Sequence, residues 1–177
     1  MQKQDIETIL ASQRKFFATG KTLPISWRIE QLKKLRASML RHEEDLYGAL
    51  KKDLGKSRME SYMCEIGLTL SELTWMEKHI RRLTREKRVP TPLAQFAARS
   101  FQSPTPYGTV LIMSPWNYPV LLTLEPLIDA LAAGNTVIVK PSAYAPATSA
   151  VMEMIIKAFL PAAKPSAVKY SAMPQSI

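Results

Sequence analysis

Apolar residues recur at helical spacing through the first part of the chain. A short amphipathic stretch runs from Ile6 to Phe17 and stops at Gly20, and a longer one runs from about Ile25 to Leu50, before the stop signal Gly55. This spacing predicts one short helix and one long helix. A third helix is predicted to carry one broad apolar face, made of Tyr62, Met63, Ile66, Leu70, Leu73 and Met76.

Prolines then mark a change of pattern. Pro90, Pro92, Pro104 and Pro106 exclude a continuous helix, because proline lacks the backbone N–H and clashes with the preceding turn. The segment between these prolines, Leu93 to Gln102, is predicted to be an extended arm.

Short apolar runs alternate with helical ones after the arm. The run 109–113 ends at Ser-Pro and predicts a buried strand, and 119–133 predicts a helix with Gly134 at its C-cap. A second β-branched strand, 136–139, is followed by a helix over 148–159. This order is typical of the opening of a parallel, doubly wound sheet.

The predicted sheet is incomplete. Two parallel strands cannot bury both faces and both edges of a sheet. After Phe159 the sequence is interrupted by Pro161, Pro165 and Pro174, and only 167–170 hints at a third strand. We interpret the tail from 161 to 177 as atypical and expect a reading-frame shift near Pro161.

Composition narrows the class of protein. The chain has 177 residues, of which 46% are hydrophobic and 22% charged, and these values exclude a disordered tail, a collagen-like chain and a disulfide scaffold. The single cysteine, Cys64, cannot form an internal disulfide or a multi-cysteine metal site, and no metal is predicted. No uninterrupted apolar stretch of about 18 residues occurs, so we expect no membrane span and a cytoplasmic protein.

The net charge of +9 lies mostly in the first half of the chain, where one basic run stands out. Such a run can bind a phosphate backbone, or it can be a solvated helix end whose cations favour the C-terminal dipole. We favour the helix end and expect no nucleic-acid partner, because no aromatic residues are interleaved with the basic ones. The run consists of His79, Arg81, Arg82, Arg85, Lys87 and Arg88.

Polar side chains follow both predicted strands. Ligands of open parallel sheets bind beyond the carboxyl ends of the strands, where the segments 114–119 and 140–142 are expected to meet. Asn117 offers an amide donor for an oxyanion, and Lys140 and Ser142 suit the hydroxyls or phosphate of a nucleotide ribose. Other interpretations stay open: Asn117 as the cap of the following helix, Lys140 as a solvated charge, and Trp116 as a packing residue.

The same segments carry a family resemblance. Ile-Met-Ser-Pro-Trp-Asn-Tyr-Pro at 112–119, then Ala-Ala-Gly-Asn at 132–135 and Val-Ile-Val-Lys-Pro-Ser at 137–142, resemble the aldehyde dehydrogenase superfamily. Residues 60–67 and 89–93 are similar to its class-3 branch, which acts on fatty and aromatic aldehydes. The resemblance covers about residues 5–160.

The resemblance implies roles for particular residues. Asn117 matches the asparagine that helps to form the oxyanion hole for the thiohemiacetal. Lys140 matches the lysine that contacts the adenosine ribose or the extra phosphate of NADP, and Ser142 lies in the same loop. Ala143 stands where the family usually has a ribose-binding glutamate, which leaves NADP open beside NAD. The coenzyme-lining segment corresponds to Ile112, Met113, Ser114, Pro115 and Trp116.

Other parts of the family's machinery have no counterpart here. Its cysteine nucleophile, its water-activating glutamate and its glycine-rich turn lie beyond the equivalent of residue 177. Cys64 does not match the nucleophile, and we expect a buried, inert thiol.

The resemblance therefore implies an N-terminal portion of an NAD(P)-dependent aldehyde dehydrogenase, inactive alone and homodimeric when intact, that converts an aldehyde to a carboxylic acid. The alternative is a non-catalytic remnant or interaction module that folds only with a partner subunit. The fold class is α/β: N-terminal helices, then the first two strand–helix units of a Rossmann-like sheet. The predicted regions are a helical region (1–88), a proline-flanked arm (89–106), a partial NAD(P)-binding domain (107–160) and the tail (161–177).

Overall fold

The N-terminal part of the chain is helical. The computed structural model describes residues 3–159 and 168–170, so most of the tail predicted as atypical lies outside the described residues. Three helices come first, and a short fourth helix leads through one π-helical turn into a fifth. Their bounds are α1 Lys3–Ala18, α2 Ile25–Arg41, α3 Glu43–Leu54, α4 Arg58–Ser61, the π turn Tyr62–Ile66 and α5 Gly67–Leu83.

The prediction of one helix from Ile25 to Leu50 is wrong. The chain leaves helical geometry at His42, with φ −105° and ψ 20°, and α3 begins at the next residue. Three carboxylates, at Glu43, Glu44 and Asp45, occupy the first turn of α3. Negative charge favours the positive end of a helix dipole, so these residues favour a new helix start over the middle of a long helix. Apolar spacing alone does not reveal this break.

The face predicted for the third helix is only partly correct. Ile66, Leu73 and Met76 are buried, but Tyr62 and Met63 are 45% and 59% exposed. The π turn holds one more residue than an α-turn, so it rotates the residues before it out of register with those after it.

Gly67 allows the π turn to close. A Cβ added at Gly67 would lie 2.8 Å from the carbonyl oxygen of Tyr62, too close for a side chain. Because the turn changes the direction of the side chains within it, it also leaves Glu65 fully buried.

The proline-flanked segment forms a hairpin arm. Strand β1 (Lys87–Val89) pairs antiparallel with β2 (Ser100–Gln102), and a short 3₁₀ turn at Leu93–Gln95 lies between them. Leu93 and Phe96 near the end of the arm are 92% and 91% exposed. At the base of the arm, Arg81 and Arg82 of the basic run lie in the last turn of α5.

A parallel sheet follows the arm and confirms the predicted alternation of strands and helices. The strand order is β3-β4-β5, and the hint of a third strand is confirmed by β5. The elements are β3 Thr109–Met113, α6 Leu121–Ala133, β4 Thr136–Lys140, α7 Pro146–Phe159 and β5 Val168–Tyr170.

Strand β3 is less buried than predicted. Ile112 is buried, but Leu111 and Met113 on the other face are 57% and 70% exposed. That face is the less covered one, because its β4 neighbours Ile138 and Lys140 are only half-buried. In addition, β3 is an edge strand whose one neighbour in the described sheet is β4. The central strand β4 is covered more completely, and its Val137 and Val139 are fully buried.

Helix α2 ties the helical region to the helices of the sheet. The Arg28 guanidinium donates from Nε to the carbonyl oxygen of Thr22 (2.9 Å) and from NH1 to that of Ala132 (3.1 Å). Ser38 Oγ donates to the carbonyl oxygen of Ile155 at 2.9 Å. Gly134 ends α6 in the left-handed conformation, φ 91°, which confirms it as the C-cap. Within the described residues, no helix is long and apolar enough to cross a membrane.

The stability of the chain is expected to depend on pH through Asp129, whose carboxyl is close to two others. Partial burial, reinforced by Glu125, raises the pKa of Asp129, and burial with both of these carboxylates raises that of Glu72. A carboxyl whose pKa is higher in the folded state than in the unfolded state favours folding while it is protonated. That advantage is lost as the pH rises through its folded pKa.

We therefore expect Asp129→Asn to stabilise the chain at about pH 7 and to have no such effect below the ordinary Asp pKa of 3.8. Thermal unfolding at both pH values measures this. Glu7→Gln, an exposed carboxylate of α1, controls for the loss of one charge. Equal gains in both variants would contradict the expectation.

Candidate functional site

The loops after β3 and β4 start side by side at the carboxyl edge of the sheet. Met113 is paired with Lys140 in the parallel register, and the Ser114 N–H donates to the carbonyl oxygen of Lys140 at 3.0 Å. The segments 114–119 and 140–142 therefore begin at the same edge, as the alternation of strands and helices predicts.

Asn117 lies in the first loop with an exposed side chain. The alternative role of Asn117 as the helix cap is wrong, because Glu65 fills it. Glu65 Oε2 accepts from the N–H groups of Val120 (2.8 Å) and Leu121 (3.3 Å) at the start of α6. The Asn117 carboxamide makes no hydrogen bond to any part of the chain that the structure describes. It is therefore available to a bound molecule.

A buried ion pair anchors this loop. Lys56 Nζ lies 2.6 Å from Glu65 Oε1, with the two side chains 9% and 0% exposed. The same Nζ donates to the carbonyl oxygen of Asn117 at 3.1 Å and lies 4.1 Å from the ring centroid of Tyr118. Sequence reasoning missed both charged residues. The one signal in the sequence was Glu65, a carboxylate next to Ile66 of the face that was predicted to be apolar.

The second loop is anchored in a similar way. Asp53 of α3 accepts from the N–H groups of Ala147 (3.1 Å) and Thr148 (2.7 Å) in the first turn of α7. Ser142 is buried, its Oγ accepts from the Tyr144 N–H (3.2 Å), and its carbonyl oxygen accepts from Ser149 Oγ (2.8 Å). The loop after β4 therefore has a defined backbone path.

Tyr170 of β5 adds a contact behind this loop. Its hydroxyl donates to the carbonyl oxygen of Ser149. Burial raises the pKa of Tyr170, so the hydroxyl stays protonated and remains a donor.

The residues predicted to line a coenzyme differ in exposure. Ile112 is buried, Pro115 is exposed, and Lys140 and Ala143 are half-buried. Lys140 Nζ donates to the carbonyl oxygen of Pro141 at 3.3 Å, so it is held at the strand end more firmly than a freely solvated charge. Trp116 is 55% exposed, and the prediction of a packing residue is wrong for it.

Ser114 has a buried hydroxyl with an unmet hydrogen bond. Its Oγ is inaccessible to solvent and has no partner among the described residues. A buried polar atom of this kind is costly unless something bonds to it. This atom lies at the edge of the sheet where open α/β folds bind ligands.

Cys64 is half-buried within the π turn, so the prediction of a buried thiol is only partly correct. The π turn exposes the side chains of Tyr62 and Met63 before Cys64 and buries those of Glu65 and Ile66 after it. In residues 3–159 and 168–170, no three His, Cys, Asp or Glu side chains are placed to hold a metal ion.

The profile of the aldehyde dehydrogenase family matches residues 1–169 of the chain. The chain therefore belongs to the aldehyde dehydrogenase family, and its fold and loop segments agree with that membership. Several of its relatives are named as members of aldehyde dehydrogenase family 3. It is 36% identical over 165 residues to Arabidopsis thaliana aldehyde dehydrogenase family 3 member H1, covering 93% of this chain and 34% of that protein.

Another relative comes from Staphylococcus aureus. Its 4,4'-diaponeurosporen-aldehyde dehydrogenase is 45% identical over 151 residues, covering 85% of this chain and 33% of that protein. The structure of Staphylococcus aureus AldH in a substrate-bound state superposes with a TM-score of 0.90 at 40% identity, covering 96% of this chain and 36% of that one. The chain thus spans about a third of the length of these relatives.

A more distant structure shares the fold alone. Glyceraldehyde-3-phosphate dehydrogenase GapN from Methanocaldococcus jannaschii, complexed with NADP, superposes with a TM-score of 0.81 at 20% identity. The match covers 97% of this chain and 37% of GapN.

Proposed function

We propose that this chain is the N-terminal portion of an NAD(P)-dependent aldehyde dehydrogenase and that Asn117 supplies a hydrogen-bond donor for the oxyanion of its reaction. One observation carries the proposal: the Asn117 carboxamide is exposed and makes no hydrogen bond to the described residues, on a loop whose backbone is held by buried charges. A preorganised amide donor at a strand end suits a carbonyl oxygen that gains charge during attack.

The residues at the sheet edge fit a bound coenzyme. The buried hydroxyl of Ser114 has no partner among the described residues, Lys140 ends the next strand, and Ser142 follows it. The N-termini of α6 and α7 do not suit the coenzyme phosphates, since Glu65 and Asp53 already fill them. The remaining lining is assigned to Ile112, Met113, Pro115, Trp116 and Ala143.

In this proposal the choice between NAD and NADP depends on the residue at position 143. Ala143 provides no carboxylate to repel a phosphate or to bind ribose hydroxyls. Lys140, three residues earlier, carries a positive charge that can attract a phosphate. The site is therefore compatible with the extra phosphate of NADP as well as with NAD. When bound, the coenzyme supplies the nicotinamide that accepts a hydride.

Asn117 acts during nucleophilic attack on the aldehyde. A cysteine thiolate adds to the carbonyl carbon, the π electrons of the carbonyl move to its oxygen, and a thiohemiacetal oxyanion forms. The Asn117 amide donates a hydrogen bond to that oxygen and stabilises its new charge. Cys64 is not assigned as this nucleophile, because it lies in the π turn of the helical region. We expect the 177-residue chain alone to show no aldehyde oxidation.

A hybrid enzyme tests the proposal. Residues 1–159 of this chain would replace the matching first third of the Staphylococcus aureus 4,4'-diaponeurosporen-aldehyde dehydrogenase, which supplies the rest of the family's length. We expect the hybrid to reduce NAD or NADP in the presence of an aldehyde. A hybrid that folds and assembles like its parent but shows no turnover would overturn the proposal.

We expect Cys64→Ser to leave kcat of the hybrid unchanged within about twofold, since a serine hydroxyl fits a half-buried site at a cost below about 1 kcal/mol. Steady-state kinetics measure kcat, and thermal unfolding measures the change in stability. A loss of activity without loss of stability would assign chemistry to Cys64 and contradict this expectation.

A second candidate function is an interaction module that folds only with a partner subunit. The exposed apolar residues Leu93, Phe96 and Phe101 of the arm favour it. Sedimentation of the isolated chain distinguishes the two, because a folded monomer excludes the need for a partner. In the intact enzyme, we propose a homodimer with an aldehyde as substrate.

A further inference from the structure

One buried ion pair holds the backbone on both sides of the Asn117 side chain. Lys56 Nζ bonds to the carbonyl oxygen of Asn117, and Glu65 bonds to the N–H groups of Val120 and Leu121. The exposed carboxamide thus projects from a short segment that is fixed at its own carbonyl and again at the start of α6. Neither charged residue reaches the sheet edge itself through any contact that the described structure records.

The bonding of the pair is unusually complete. Glu65 is 0% exposed, and its two oxygens accept from Lys56 and from two backbone N–H groups. Lys56 is 8% exposed and is shared between Glu65, the Asn117 carbonyl oxygen and the Tyr118 ring. Burial of two charges is costly, and an apolar pair is often no less stable. An apolar pair could therefore match the stability that this pair provides, but it could not bond to the loop backbone and fix its conformation.

We propose that Lys56 and Glu65 are positioning residues for Asn117, which fix the direction in which its carboxamide meets the developing oxyanion. The π turn contributes by aiming Glu65 at the start of α6. This inference rests on the proposed function, because it has a catalytic consequence only if Asn117 donates to the oxyanion. In this proposal Lys56 and Glu65 act through the backbone of the loop, to which both bond, and not by direct contact with the aldehyde.

The structural half of the proposal is tested in the full 177-residue chain. The double variant Lys56→Met/Glu65→Gln removes both charges together, leaves no lone buried ion, and keeps an amide oxygen that can accept from Val120 N–H. NMR relaxation is expected to show the backbone order parameter at Asn117 falling from about 0.85 to below about 0.6, while α6 keeps its amide protection. The control Lys52→Met/Glu60→Gln removes the same charges from exposed positions and should leave Asn117 ordered.

The catalytic half is tested by a mutant cycle in the hybrid enzyme. Lys56→Met/Glu65→Gln is expected to lower kcat by up to about a hundredfold with KM for the coenzyme unchanged, the scale of loss that a misplacement of about 1 Å causes. In an Asn117→Ala background the same double variant is expected to have no further effect on kcat, because its action passes through Asn117.

Each outcome decides a different point. Additive losses of kcat would overturn the positioning role and leave a general structural one. An unchanged order parameter at Asn117 in the double variant would also overturn it. If Asn117→Ala itself leaves kcat intact, the proposed function fails, and the NMR result still shows separately whether the pair orders the loop.

Discussion

Asn117→Ala in the hybrid enzyme is expected to lower kcat by about 10²–10³-fold, the effect that removal of one oxyanion-hole donor has in other enzymes. The carboxamide is exposed and makes no hydrogen bond within the described residues, so its removal leaves no buried partner unsatisfied. The loop should keep its shape, since its anchors bond to the backbone of Asn117 and to α6. The loss is therefore expected in kcat, with folding and KM little changed.

Steady-state kinetics and urea unfolding of the same samples measure this prediction. Gln95→Ala removes an exposed carboxamide from the arm and should leave kcat unchanged. Asn117→Asp keeps the size of the side chain but presents a negative charge to the oxyanion, so its loss should be at least as large. Full activity in Asn117→Asp would rule out an oxyanion donor at this position.

Gly134→Ala is expected to destabilise the chain by about 3 kcal/mol. Gly134 adopts φ +91°, which costs an L-residue about 1–2 kcal/mol. An added Cβ would also lie 2.8 Å from the Arg28 guanidinium carbon, so Arg28 must move. Its hydrogen bonds to the carbonyl oxygens of Thr22 and Ala132 would then be lost, and unsatisfied buried groups cost about 1–3 kcal/mol.

Urea unfolding measures this effect as a lower midpoint with an unchanged slope. Gly55→Ala is a matched control, because Gly55 also has a positive φ, +68°, but its added Cβ would meet nothing within 4 Å. The control should lose about 1–2 kcal/mol from conformation alone. Equal losses in the two variants would show that contact with Arg28 contributes nothing.

Local features of the fold were predictable from the sequence. The alternation of β-branched runs with Ala/Leu-rich runs predicts β3, α6, β4 and α7 in order, because strand and helix differ in side-chain period. Gly134 was predictable as a C-cap since few other residues tolerate that conformation. The meeting of the loops that contain Asn117 and Lys140 follows from parallel pairing alone.

The parts that were not predictable depend on contacts between distant segments. Glu65 bonds to residues 55 and 56 positions further along the chain, and Asp53 to residues 94 and 95 positions further along. The nearer partner of Glu65 is Lys56, nine residues earlier, a spacing that matches neither the helical nor the strand period. The π turn was also hidden, because an extra residue in one turn leaves the apolar pattern on each side of it helical.

The capping of α6 and α7 by Glu65 and Asp53 has a consequence for how the chain folds. The first backbone N–H groups of both helices exchange water for their carboxylate partners only when the helical region has docked against them. Contacts between segments so far apart raise the contact order, which slows folding. The helices and the sheet are thus expected to gain their final stability in one cooperative event, with the two loops at the sheet edge among the last parts to become ordered.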